Sequence, residues 1–160
     1  MSTDVKETNK ELLAQIIELG FHGDSYCFDQ FCEQLLRSLP EGTGVALRGS
    51  VVTNERYKDG EPFDADGDNT SDLDVTLIGD EVRGYWNEDS YYIPGLHTKP
   101  LCDKNPEIAP TLEPLRRKLQ ELVGRPVAFQ ATANVILYAR DVLMGQPYFT
   151  LIEPCGKAEC

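Results

Sequence analysis

Two aspartates one residue apart, Asp72 and Asp74 in SDLDVTLIG, carry the first chemical signal in the chain. The stretch alternates, with Leu73, Val75 and Leu77 on one face and Asp72, Asp74 and Thr76 on the other, which is the period of a strand. Residues two apart on a strand point the same way, with Cα atoms roughly 6.5–7 Å apart. At a surface-like dielectric the two carboxylates repel by about 2 kcal/mol before solvent and salt screen them. A divalent ion reverses that sign, and Mg2+ suits one or two carboxylates completed by phosphate oxygens. A polar, solvated strand face would show the same Asp-x-Asp, so a second signal is needed. Upstream, Gly49 and Ser50 end the apolar run GVALR. Small residues at a strand end let backbone N–H groups approach a phosphate closely. If the two strands pair, RGS and SDLD lie side by side, one suited to phosphate and the other to metal.

The elements that must position these residues follow from periodicity. Thr8 and Glu11 form a capping-box pattern ahead of Leu12, Leu13, Ile16, Ile17 and Leu19, with Gly20 as a stop. A second helix runs from Ser25, with Phe28, Phe31, Cys32, Leu35, Leu36 and Leu39 at helical spacing, until Pro40. GVALR and SDLDVTLIG are strands joined by a long polar loop. Residues 80–110, punctuated by Pro94, Pro100, Pro106 and Pro110, read as irregular. TLEPLRRKLQELVG is a helix capped by Thr111, with Leu112, Leu115, Leu119 and Leu122 inward and Gly124 at its end. RPVAFQA is a strand, ANVILYARDVLMG a last helix, and Tyr148 to Ile152 a docking apolar tail. The expected fold is α/β, a small mixed sheet covered mainly on one side by helices, with the aspartate face toward water. Residues 1–160 form one domain: N-terminal helices over 8–39, a core over 44–145 and a tail over 146–160.

Composition narrows the function. The 160 residues are 41% hydrophobic and 26% charged, with a net charge of −12. Residues 59–90 hold eleven acids against one base, Arg83, so −10 of that charge sits in one segment. Duplex nucleic acid is a poor partner for such a surface and cations are good ones. No apolar run reaches the length of a membrane span, and the opening MSTDVKETNKELL is too polar for a secretory signal, so a cytoplasmic location is expected. Five cysteines, an odd number, favour reduced thiols over a disulfide framework. The C-x4-C spacings at Cys27/Cys32 and Cys155/Cys160 are too wide for a usual zinc knuckle, and only His22 and His97 could complete one.

RGS followed by SDLDV resembles the nucleotidyltransferase superfamily that shares the DNA polymerase β palm, and within it the minimal single-domain members. The resemblance covers roughly residues 44–145. It implies that Gly49 and Ser50, with Arg48 beside them, hold the triphosphate of an NTP and that Asp72 and Asp74 bind Mg2+. The implied chemistry is two-metal transfer of a nucleotidyl group to an acceptor hydroxyl, with pyrophosphate leaving. The chain departs from the family in two ways. Between Ser50 and Asp72 lie 21 residues, a longer loop than is common, which adds Asp64, Asp66 and Asp68. The strand that usually carries a third carboxylate offers Ala128 and Gln130, and Gln130 is then a neutral third metal ligand. Without the third acid, either one ion is bound instead of two, or the chain is an antitoxin-like relative that binds NTP or a partner protein without turnover.

The remaining candidates have plainer readings. DADGDNTSDLDV places acids as a calcium loop does, but Asn69 stands where glycine should and Val75 where the bidentate glutamate should. A calcium-binding acidic loop is therefore the third reading. Arg56 and Lys58 lie where they could reach a triphosphate, or are ordinary solvated charge. Arg116, Arg117 and Lys118 read as a solubilising helix face, His97 as a surface loop residue, and Tyr85, Trp86, Tyr91 and Tyr92 as packing that orders a long loop. Asp103 and Glu107 are the acids that could replace the missing carboxylate.

Overall fold

The computed structural model describes residues 2–56, 59–133 and 147–154. Helix α1 (Ser2–Gly20) begins well before the capping-box pattern at Thr8, because the preceding residues tolerate helix and no stop signal precedes them. Helix α2 (Ser25–Ser38) starts behind Asp24, whose carboxylate accepts the N–H groups of Tyr26 and Cys27. Strand β1 (Gly44–Arg48) leads through Gly49 into the single turn α3 (Ser50–Thr53). After the acidic loop come β2 (Leu73–Ile78) and α4 (Asp80–Arg83). The stretch read as irregular contains α4 and the short strands β3 (Tyr91–Ile93) and β4 (His97–Thr98). Strands of two or three residues are too short to show alternation, so sequence gave no sign of them. Helix α5 (Glu113–Val123), strand β5 (Val127–Thr132) and strand β6 (Tyr148–Ile152) follow.

Among the described residues these elements make a mixed six-stranded sheet flanked by helices, in the order β3-β4-β5-β2-β1-β6. β2 and β5 run parallel and the other neighbours antiparallel. The tail docks as expected, as edge strand β6 against β1. One face of the sheet, with Val45, Leu47, Leu73, Val75, Leu77, Val127 and Phe129, joins Ile16, Phe21, Phe31, Leu35, Leu119 and Val123 in one buried cluster. Leu12, Leu13, Ile17 and Leu19 pack against it, whereas Leu36 and Leu122 are exposed rather than inward.

The opposite face does not look out on water. Ala46, Thr76, Ile78, Ala128, Gln130 and Thr132 are all buried, and Asp74 among them is half-buried. The alternation predicted which residues share a face but not that both faces would be covered. Helix α5 also starts differently from its sequence signal. Leu112, not Thr111, precedes the first turn, where Glu113 and Pro114 suit the helix start. Gly124 ends it in a left-handed conformation with φ 69°. The helix assigned to ANVILYARDVLMG lies outside the described residues, apart from its first residue, and Lys58, Cys155 and Cys160 lie outside them too.

Candidate functional site

The β1–β2 register brings the two sequence motifs together: Arg48 pairs with Asp74 across the antiparallel ladder, so RGS and SDLD are neighbours. Gly49 holds φ 78° and ψ −154°, a conformation that glycine alone enters without strain. A β-carbon placed on it would lie 2.6 Å from Asp74 Oδ2, so the backbone turn and the carboxylate are in direct contact. Ser50, half-buried, opens α3. Asp72, exposed, stands one residue ahead of β2, where the Leu73 N–H bonds Pro126 O at 2.9 Å.

The electrostatics follow from this placement. Burial pushes the Asp74 carboxyl up to about 6; Asp72 adds to the rise and the Arg48 guanidinium opposes it. Asp72, though exposed as a residue, is raised too, by partial desolvation of its carboxyl and by Asp103, while Lys104 pulls the other way. No hydrogen bond to the Asp74 carboxylate forms among the described residues, and the Thr76 hydroxyl, next along the same face, is buried without a partner. Acid left short of donors beside a glycine turn fits a hydrated divalent ion with phosphate ligands. Among the described residues no three His, Cys, Asp or Glu side chains converge on one point.

On β5 the residue facing Asp74 is Ala128, and Thr76 faces Gln130. The Gln130 Oε1 accepts a hydrogen bond from Arg48 Nη2. Its Nε2 donates to Thr98 O at 3.1 Å and lies 3.3 Å from His97 Nε2. His97 is therefore no surface residue: it is 2% exposed, and burial, followed by the nearby Arg48, pushes its pKa down to about 4. A neutral imidazole can accept the second Gln130 N–H.

Two further arginines are buried, one unmarked in the sequence and one expected on a solvated helix face. Arg125, which no periodic pattern marks, is buried and binds both oxygens of Asp64 at 2.8 and 3.0 Å, with Leu19 O, Gly20 O, Ser71 O and Asn69 Oδ1 also accepting from it. Its guanidinium also lies 4.6 Å from the centre of the Phe63 ring. Burial alone would raise the Asp64 pKa, but Arg125 and the Ser71 and Asn69 amides hold it below the usual carboxylate range. Asp64 is thus a structural ion-pair partner rather than solvated acid. Arg116, expected on a solubilising face, is buried and bonded to Glu113, Gln120, Val127 O and Asp103. Asp103 is thereby committed to Arg116 while still raising the Asp72 pKa.

Arg56 pairs with Asp59 and Asp66 at 2.7 and 2.6 Å, inside the acidic loop. The packing reading of the aromatics agrees with Trp86, which is buried and donates to Lys99 O, and with Tyr91, which donates to Arg83 O. Cys27, Cys32 and Cys102 are free thiols. No helix among the described residues is long and apolar enough to cross a membrane. Comparison with protein-family models, with curated proteins and with solved structures gave no match to this chain.

Proposed function

We propose that the chain is a nucleotidyltransferase that moves a nucleoside monophosphate from an NTP to an acceptor hydroxyl, with Mg2+ at Asp72 and Asp74. The observation that carries this reading is the contact between the Gly49 turn and Asp74, which sets a phosphate-suited backbone against a metal-suited acid. In it, Asp72 and Asp74 hold the ion, and the Gly49–Ser50 backbone with Arg48 grips the triphosphate. A bound Mg2+ supplies neutralisation of the phosphate oxygens and acidifies a hydroxyl. The acceptor oxygen bonds to the α-phosphorus in line, the bond to pyrophosphate breaks, and the hydroxyl proton passes to water. NTP and Mg2+ supply, together with the free thiols, supports a cytoplasmic location.

A second reading, a relative that binds NTP or a partner protein without turnover, is favoured by Ala128 at the β5 position facing Asp74. Thermal unfolding with Mg2+ and each NTP, on wild type and Asp74→Asn, tests the shared site. A ligand at a hundredfold over its Kd stabilises by about 2.7 kcal/mol. A rise in wild type that is absent in the variant is expected. Stabilisation by Ca2+ alone would overturn both readings. Release of pyrophosphate in the presence of candidate acceptors then separates the first from the second.

A further inference from the structure

Gln130 and Arg48 meet across an intervening strand. Arg48 is on β1, Gln130 on β5, and β2 lies between them. Two strand spacings are roughly 10 Å, so the two side chains must span that distance over the face of β2. On that face stand Asp74, opposite Arg48 in the strand register, and Thr76, opposite Gln130. The Gln130 amide is oriented from behind: its Nε2 donates to Thr98 O, which leaves Oε1 to face the arginine. His97 Nε2 closes the other side. A planar guanidinium fixed in this way is a permanent positive charge with its position set by a buried network.

We infer that Arg48, held over β2 by Gln130, is a built-in counter-cation for Asp74, so that the site takes one divalent ion rather than two, and that Gln130 is a positioning residue instead of a metal ligand. The inference rests on the nucleotide-site reading above and goes beyond it. An arginine in that place opposes a bare cation but favours a triphosphate. Its removal should therefore move the two affinities in opposite directions. A metal ligand or a merely structural residue would not do that.

The test is Mn2+ binding, alone and with a non-hydrolysable NTP, followed by paramagnetic resonance on the folded full chain. Wild type should bind one Mn2+ with the nucleotide. Arg48→Met should bind Mn2+ alone more tightly and the nucleotide about tenfold or more weakly, as loss of a charge-assisted contact implies. Gln130→Met should shift both in the same directions by less. Should it fail to fold, Gln130→Asn, which draws the amide back by one methylene, carries the same test. Two Mn2+ bound to wild type, or weaker Mn2+ binding in the Gln130 variant, would overturn the inference. Equal Mn2+ and nucleotide binding by wild type and Asp74→Asn would instead sink the nucleotide site itself, and the inference with it.

Discussion

Gly49 and Asp74 touch. The glycine turn at the end of β1 leaves room for the β2 carboxylate only because it has no side chain: a β-carbon there would come within 2.6 Å of Oδ2. Gly49→Ala adds that clash to a backbone of positive φ and extended ψ, which for a residue with a β-carbon costs on the order of 1–3 kcal/mol. The variant should unfold at lower denaturant and lose the stabilisation given by Mg2+ with NTP. Chemical denaturation with and without ligand reads both. A variant as stable and as responsive as wild type would show that the contact is incidental.

The pH response should reveal two opposed groups. The folded-state pKa of Asp74, about 6, lies above its unfolded value, so its contribution to stability is complete below about pH 4 and is lost as the pH rises through 6. His97, pushed down to about 4, contributes in full above about pH 6.5 and loses its contribution as the pH falls toward 4. Asp74→Asn should therefore stabilise the ligand-free protein at pH 7, by on the order of 1 kcal/mol after solvent screening, and leave it little changed at pH 4. His97→Phe should remove the opposing slope. Urea unfolding from pH 4 to 7 checks both, and parallel curves for wild type and Asp74→Asn would contradict the assignment.

The Arg125–Asp64 pair should matter for stability out of proportion to its place in a polar loop. Arg125 is buried and Asp64 mostly so, and removal of one partner strands the other. Arg125→Met should cost roughly 3–5 kcal/mol. Calorimetry should show a correspondingly large fall in Tm, at roughly 2–4 °C per kcal/mol for a chain of this size. A loss within a degree or two would mean that water replaces the guanidinium without penalty.

Adjacent arginines on α5 offer an internal control. Arg116 side-chain exposure is 1% and that of Arg117 is 69%. Arg116→Met leaves Glu113 without its main partner and should destabilise by a few kcal/mol, whereas Arg117→Ala should stay within about 0.5 kcal/mol. Paired melting curves distinguish them.

The elements with long periodic patterns were legible: α2, α5, β1, β2, β5 and the docked tail all follow from spacing of apolar residues. The neighbourhood of RGS and SDLD was also legible, because consecutive strands commonly pair. What escaped was set by tertiary partners. Arg116 and Arg117 look alike in sequence, and only the proximity of Glu113, Asp103 and Val127 O decides which is buried. His97 sits in a proline-bounded loop that reads as surface until β4 places it against Gln130. Arg125 follows Gly124 and precedes Pro126, a setting that reads as a bare turn, yet it gathers acceptors from α1 and from the acidic loop.

That arginine also bears on the order in which the chain can mature. Asp64 lies 61 residues before its counter-charge and Leu19 106 residues before it. During synthesis the acidic loop emerges well before Arg125 does, and contacts of such long range form late. Until then Asp64 lacks its counter-charge, and the loop that leads to Asp72 is held only by its own contacts, chiefly Arg56 with Asp59 and Asp66. The site is completed only once β5 brings Gln130 to Arg48, so truncated products that end before β5 would carry both motifs without that network.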